Sequence, residues 1–143
     1  MTADDLNESP WNLQDALIAL MVSTSVSDTQ VRTLELLSID RVVGHLPVFA
    51  DYDADRITII SQTVFDILED EDGLDALFGL VRSALPEKFN ETAYALCCDV
   101  AAADGRLREG ELRFLEEIRY EMNIDRLAGA AIERGARARH LKA

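Results

Sequence analysis

Two pairs of carboxylates have the residue types and the spacing that could do chemistry. Asp28 precedes Glu35 by seven positions, and Asp104 precedes Glu111 by the same interval. In each pair the aspartate ends an apolar, helix-like segment and the glutamate falls in the first turn of the next one. Carboxylate oxygens are the ligands that Mg²⁺, Ca²⁺ and Mn²⁺ prefer. The four residues are therefore a candidate divalent-cation site, and the alternative is that they cap and connect helices.

The segment AAADGRLREGE (101–111) has the offsets of the second half of a calcium-binding EF-hand loop. Counting Gly105 as the sixth loop position puts Val100 and Ala102 at the first and third, and neither has a ligating side chain. The acidic segment DYDADR (51–56) has the early aspartates but lacks the glycine and the final glutamate. We therefore predict a helix-to-helix corner at the first segment, and turn and capping residues at the second.

No pattern in the chain indicates catalysis. The sequence has no nucleophile elbow, no phosphate-binding glycine loop and no Cys–His neighbourhood. Cys97 and Cys98 are adjacent in an apolar helical segment, so we interpret them as small buried hydrophobes that do not pair with each other. The two histidines, His45 and His140, lie far from the acidic motifs in sequence. We expect a protein that is not an enzyme.

Length and composition favour one globular domain over residues 1–143. The chain is 48% hydrophobic and carries a formal charge of −13, which argues against binding a nucleic-acid backbone. No apolar run approaches the roughly 18 residues of a membrane span, and the acidic N-terminus MTADDLNESPW lacks the features of a secretory signal. We therefore expect a cytoplasmic protein without a transmembrane segment, and leave open a protein partner and peripheral association with a membrane.

Charge is distributed unevenly along the chain. Residues 126–143 hold five basic residues and one acid, a net charge of +4, which leaves 9 basic and 26 acidic residues, net −17, in the rest. A short acidic tail (about 1–10) thus precedes the body, and a basic helix (about 125–140) follows it. Two interpretations of the basic helix stay open: it docks on the acidic body, or it binds an acidic partner.

Hydrophobic periodicity predicts an all-α fold of about seven helices. Their expected positions are near 12–26, 31–44, 54–69, 73–84, 87–103, 108–122 and 125–140. An internal repeat at an offset of 76 residues places segment 20–39 over segment 96–115. Each copy is a helical hairpin with the Asp-to-Glu spacing at its corner. We therefore predict two pseudo-symmetric hairpins around a common core, with the first and fifth helices central because they are apolar nearly all round.

At AAADGRLREGE (101–111) and its echo at 28–35, the sequence resembles the bacterial tellurite-resistance TerB-like family. Hairpins of that family carry an Asp-Gly followed by a glutamate that begins the next helix. The segment HLPVFADYDADRI (45–57) is also similar to the family's connection between its second and third helices. The resemblance covers roughly residues 12–125. It implies an all-α domain of about seven helices, linked to tellurite resistance and stress response without an established catalytic activity.

The resemblance also implies a metal site, because the family's acidic residues have been proposed to bind metal. Carried over by position, the motif falls on Asp28, Glu35, Asp104 and Glu111. The chain departs from the pattern where Thr29 replaces the glycine and where Arg32 and Arg108 stand in a slot that often holds a small hydroxyl residue. These arginines would lie near a bound cation and weaken its binding.

Two functions follow from the sequence. The first is a non-catalytic TerB-like protein of tellurite resistance or stress response that binds Mg²⁺, Ca²⁺ or Mn²⁺ through paired carboxylates. The alternative is an adaptor that uses its acidic body or its basic C-terminal helix to hold a partner protein.

Overall fold

The computed structural model of the protein describes residues 10–26, 33–103 and 109–143, the side chains of 33–37 apart. Over these ranges the chain forms seven α-helices and two short 3₁₀ helices, Pro47–Phe49 and Glu87–Phe89, with no strand. The all-α prediction is confirmed. The α-helices are α1 Leu13–Val26, α2 Thr33–His45, α3 Arg56–Leu68, α4 Gly73–Ala84, α5 Asn90–Ala102, α6 Glu109–Glu121 and α7 Arg126–Arg139.

Helix α1 is the centre of the fold. It begins with a reciprocal cap: the Asp15 amide donates to Asn12 Oδ1 (2.8 Å) and the Asn12 amide donates to Asp15 Oδ2 (3.1 Å). Every residue from 15 to 25 is buried, and the helix contacts α2, α3, α4, α5 and α6. Its buried hydroxyls at 23, 24 and 25 each donate to the carbonyl four residues earlier, so they add no unsatisfied polar group to the core.

Helix α5 is the second central helix, and it carries the C-terminal part of the fold. It packs against α1, α2, α6 and α7, and its buried residues include Tyr94, Leu96, Cys97 and Val100. A helix that is apolar over most of its circumference must be covered on several sides. The predicted central position of the first and fifth helices is therefore confirmed.

A four-residue turn fixes how α7 follows α6. Asn123 has a left-handed backbone with φ 53°. Its amide donates to the Tyr120 carbonyl (3.2 Å), and the Ile124 amide donates to the Arg119 carbonyl (2.9 Å). This is the Schellman arrangement that ends many helices. Asp125 then caps α7, accepting from the Ala128 amide at 3.3 Å, so the angle between the two helices is set locally.

The DYDADR segment forms a turn, as predicted, but it caps α3 differently from the prediction. Asp51 has a left-handed backbone with φ 63°, and Asp53 Oδ1 accepts from the Asp55 amide at 3.0 Å. Asp55 occupies the cap position of α3, yet its side chain makes no capping hydrogen bond. Its backbone is already helical, with φ −64° and ψ −21°, whereas a side-chain cap needs an extended residue.

None of the helices described for this chain has the length and apolarity needed to cross a bilayer. The longest have 14 residues, where a spanning helix needs about 20.

Candidate functional site

The predicted carboxylate site lies largely outside the part of the chain that the structure describes. Asp28 and Asp104 fall in the undescribed segments, and the side chain of Glu35, although α2 contains this residue, is likewise not described. Glu111 lies in the first turn of α6 with 1% of its surface exposed. The described residues 10–26, 33–103 and 109–143 contain no group of three metal-ligating side chains. The meeting of the two carboxylate pairs therefore stays a prediction.

A groove lies between α6 and α7. Both helices pack on α5, and the space between them has a volume of about 660 Å³. This size is within the range of ligand-binding clefts. Its floor is one face of α5, formed by Tyr94, Cys98 and Ala102. Because the turn at 122–125 holds α6 and α7 together at only one end, the fold leaves the groove between them.

A hydrogen-bonded network ties the three helices together at the inner end of this groove. The Tyr94 hydroxyl donates to Glu133 Oε2 at 2.7 Å, and Arg119 Nη1 donates to the same oxygen at 3.2 Å. Burial raises the pKa of Tyr94 well above its ordinary value, and the Glu133 carboxylate raises it further. The phenol is thus held as a donor. Nearby, a Cβ at Gly129 would be in ordinary van der Waals contact with Arg119 Cδ, at 3.5 Å.

The groove presents apolar surface to water beside these polar groups. Leu112 of α6 and Leu141 after α7 both line it, and they are 44% and 77% exposed. Large apolar side chains are the groups that gain most from being covered by a partner. Leu115 lies behind Leu112, is buried, and continues the apolar surface inward. The groove therefore combines an apolar interior with exposed leucines on its walls.

Apart from the Arg119–Glu133 pair, the two rims of the groove carry opposite charge. Arg134 and Arg137 lie on the α7 rim and Glu116 on the α6 rim, all exposed. No ion pair to either arginine is found within the described residues. A helix laid in this groove would be favoured if its acidic side faced α7. The last helix is basic, as the sequence predicts. Some of its basic residues dock on the body, and others line this groove.

Both cysteines are free and buried, as predicted from their positions. Burial raises the pKa of the Cys97 thiol to about 12, and Cys97 has none of its surface exposed. Burial likewise raises the pKa of the Cys98 thiol on the groove floor to about 12. Since the thiolate is the reactive form, neither residue is prepared for nucleophilic chemistry.

The sequence reasoning missed a buried ion-pair cluster around Asp15. Arg56 Nη2 donates to Asp15 Oδ2 at 2.7 Å and Arg56 Nε donates to Oδ1 at 3.0 Å. The Tyr52 hydroxyl also donates to Oδ1, at 2.8 Å. Burial would raise the pKa of Asp15, but the hydrogen bonds from Arg56, Tyr52 and the Asn12 amide outweigh it and lower that pKa.

This cluster fixes the 45–56 connection to α1, because Gln14 of the same turn also binds the Val48 and Ala50 carbonyls at 3.0 and 3.2 Å. The side chains of this cluster serve to hold the fold together. The sequence does contain a signal for part of it, since Asn12 and Asp15 have the spacing of a capping box before an apolar run. Nothing in the sequence pairs Asp15 with Arg56, which lies 41 residues away.

No protein-family model, curated protein or solved structure matches this chain.

Proposed function

We propose that this chain is a non-catalytic binding module that holds an acidic, amphipathic helix of a partner protein in the groove between α6 and α7. The observation that carries the proposal is the combination of exposed leucines and unpaired rim arginines, within the described residues, around one cleft of about 660 Å³. The setting that we propose is the tellurite-resistance or stress response implied by the TerB-like resemblance, in the cytoplasm.

Apolar burial supplies the affinity in this proposal. Leucines at positions i, i+3, i+4 and i+7 of a partner helix form one apolar face. That face would cover Leu112 and Leu141, which the isolated chain leaves open to water. Covering a leucine side chain fully contributes about 1.5–3 kcal/mol. Covering these two residues contributes part of the affinity, and contacts with the groove floor contribute the rest.

Charge supplies the choice of partner. The protein as a whole carries −13, so it repels an acidic partner at long range. Within a Debye length of about 8 Å, however, the α7 rim presents Arg134 and Arg137. An acidic residue that reaches this rim gains contacts that the rest of the surface does not offer. The opposite rim, with Glu116, favours a basic or neutral residue, so one orientation of the helix is selected.

The chemistry of the groove supports binding rather than catalysis. The thiol on its floor has a pKa raised by burial to about 12, and the Tyr94 phenol is engaged with Glu133. General acid–base or nucleophilic work needs a group whose protonation changes near neutral pH. The Cys98 thiol and the Tyr94 phenol instead stay protonated, and His140, which also lines the groove, is held against Asp99 at 3.3 Å.

A peptide titration tests this proposal. The probe is a fluorescent helical peptide with leucines at i, i+3, i+4 and i+7 and glutamates along one flank. The matched control peptide has lysines in place of those glutamates. We expect fluorescence anisotropy to show at least tenfold tighter binding of the acidic peptide, a difference of about 1.4 kcal/mol. Equal affinities, or binding of neither peptide, would reject the proposal.

Variants of the protein locate the binding site. Reversing charge in Arg134→Glu/Arg137→Glu should weaken the acidic peptide about tenfold and strengthen the lysine peptide. Arg126→Glu, on the same helix but outside the groove, should change neither. Leu141→Ser should weaken both peptides, whereas Ile59→Ser, at an exposed residue of α3, should not. If sedimentation shows that the groove is filled by a second copy of the chain, the partner-helix assignment is wrong.

Cation binding is the second candidate, and it rests on the carboxylate pairs that the TerB-like resemblance implies, of which the structure describes Glu111 in the first turn of α6. Asp104, Asp28 and Glu35 would be the further ligands that the resemblance implies. Thermal unfolding in chelator and in Mg²⁺, Ca²⁺ or Mn²⁺ tests this. If the cation site exists, adding the cation raises the melting temperature of the parent and leaves that of Glu111→Gln unchanged. Equal rises in both proteins would mean that Glu111 is a structural residue.

A further inference from the structure

A second cleft, of about 450 Å³, brings together the only two histidines of the chain. It lies between α2 and the C-terminal ends of α5 and α7. Arg41 and His45 line it from α2, Arg139 and His140 from the end of α7, and Asp99 from α5. Among the described residues, these five are the charged or titratable groups that line the cleft. Four basic side chains thus converge in a protein whose net charge is −13.

Asp99 already holds two of these groups. Its Oδ1 accepts from Arg139 Nη2 at 2.7 Å and from Arg139 Nε at 3.2 Å, and His140 Nε2 lies 3.3 Å away. His45 Nδ1 lies 2.5 Å from the Arg41 carbonyl oxygen. Because a carbonyl only accepts, Nδ1 must carry the hydrogen, which leaves Nε2 as the second ring nitrogen of His45.

The charge of the cleft depends on the two imidazoles. With both neutral, Arg41 and Arg139 against Asp99 leave one positive charge. With both protonated, the cleft holds three. Guanidinium groups bind tetrahedral oxyanions through paired N–H donors. A cleft of this volume is large enough for a phosphate group and a small organic substituent.

We propose that this cleft binds an anion of the phosphate class, inorganic phosphate or a phosphate monoester, between Arg41, His45, Arg139 and His140, with Asp99 competing for the same cations. Binding strengthens as the imidazoles gain protons. The Asp99 carboxylate is the internal counter-ion that a ligand must outcompete for Arg139 and His140. This site differs from the helix-binding groove in using Arg41 and His45 of α2, while His140 lines both clefts.

The test is calorimetric titration of the whole chain with sulfate, phosphate and phenyl phosphate at pH 7.5 and pH 5.5. Sulfate keeps the same charge at both pH values, so its affinity reports on the protein alone. We expect sulfate to bind at least fivefold tighter at pH 5.5. Comparing phosphate with phenyl phosphate distinguishes the two kinds of ligand. Equal affinities would assign inorganic phosphate as the ligand, and tighter binding of phenyl phosphate would assign an organic phosphate monoester. Absence of saturable binding by any probe would overturn the proposal.

Four variants make the assignment specific. Arg41→Gln should weaken sulfate at least tenfold, while Arg126→Gln, outside the cleft, should leave it unchanged. His45→Gln/His140→Gln should abolish the pH dependence. Asp99→Asn should bind sulfate at least fivefold tighter at pH 7.5, because it releases the cations; circular dichroism confirms that each variant is folded. Weaker or unchanged binding by Asp99→Asn, or equal losses in Arg41→Gln and Arg126→Gln, would contradict the proposal.

Discussion

Asp15 is the residue on which the N-terminal half of the structure most depends. One carboxylate with 1% exposure caps α1, pairs with Arg56 and accepts from Tyr52. Each carboxylate oxygen accepts hydrogen bonds from two donors. These bonds replace those that water would make to the negative charge. The physical requirement is that all donors stay in place, because a buried charge that loses its partner is costly.

Asp15→Asn should destabilise the protein by about 1–3 kcal/mol at pH 7, because it removes the charge from a paired buried site. The folded-state pKa of Asp15 is lowered from its ordinary value of 3.8. Its contribution to stability is therefore fully present above that value and is lost as pH falls through the lower folded pKa. Urea unfolding at pH 7, 5 and 3 should show equal gaps between parent and variant at pH 7 and 5 and a smaller gap at pH 3. A gap that stays constant would contradict this, and Asp75→Asn, at an exposed residue of α4, is the control.

Cys97 and Cys98 should react with a thiol reagent only slowly in the native protein. A pKa of about 12 instead of 9.0 for each thiol lowers the thiolate fraction at pH 8 by a factor on the order of 10³, and burial restricts access further. The rate of colour release from a disulfide reagent measures this, with the urea-unfolded protein as the reference. Labelling of the native protein at the unfolded rate would mean that the thiols are exposed.

At the scale of helices, the close contact between α3 and α4 depends on a glycine. A Cβ at Gly73 would lie 2.1 Å from the Ile67 carbonyl oxygen. Real contacts are never so short, and the obstacle is backbone. Within the same helix α4, a Cβ at Gly79 would have no atom within 4 Å. The two positions therefore separate the steric cost of a methyl group from its effect on helix propensity.

Gly73→Ala should destabilise the protein by about 1–3 kcal/mol, as overpacking does. Gly79→Ala should instead stabilise it by about 0.5–1 kcal/mol, because alanine favours the helix interior. Chemical denaturation of the two variants beside the parent measures both shifts. Shifts of the same sign would show that α3 and α4 are not packed as closely as the structure has them.

The helices could be predicted from the sequence to within about three residues, because each has an apolar period and a breaker at its end. The largest displacement is at α5, expected near 87 and observed to begin at Asn90. Pro86 starts a 3₁₀ turn over Glu87–Phe89 first, and periodicity cannot distinguish this turn from a helical one. The Asp15–Arg56 pair and the two clefts could not be predicted, since they arise only when distant helices pack together. The pseudo-symmetry of the two hairpins stays a prediction.

At the scale of the whole molecule, charge opposes folding. A net charge of −13 on 143 residues produces self-repulsion that is stronger in the compact state. Salt shortens the Debye length from about 30 Å at 0.01 M to about 8 Å at 0.15 M. We expect the melting temperature to rise with NaCl over this range, although surface pairs such as Arg113–Glu109 weaken. A fall in melting temperature would show that the ion pairs outweigh the net repulsion.

Both clefts adjoin the C-terminal end of α7, and His140 lines both. This end of the molecule also carries most of the basic residues of the last segment, in contrast to the acidic body. The basic end of the sequence thus corresponds to the part of the structure where the two clefts lie. On this account the body supplies the core and the solubility, and the α5–α6–α7 end makes the contacts with other molecules.

The most direct test of the helix-binding groove is an amide NMR titration of the protein with the acidic leucine peptide. The account predicts saturable shifts confined to α6, α7 and the exposed face of α5, including Leu112, Arg137 and Leu141, with Ile59 in α3 unchanged. Shifts centred elsewhere, or none at peptide concentrations that saturate the anisotropy signal, would contradict the claim that the groove is the binding site.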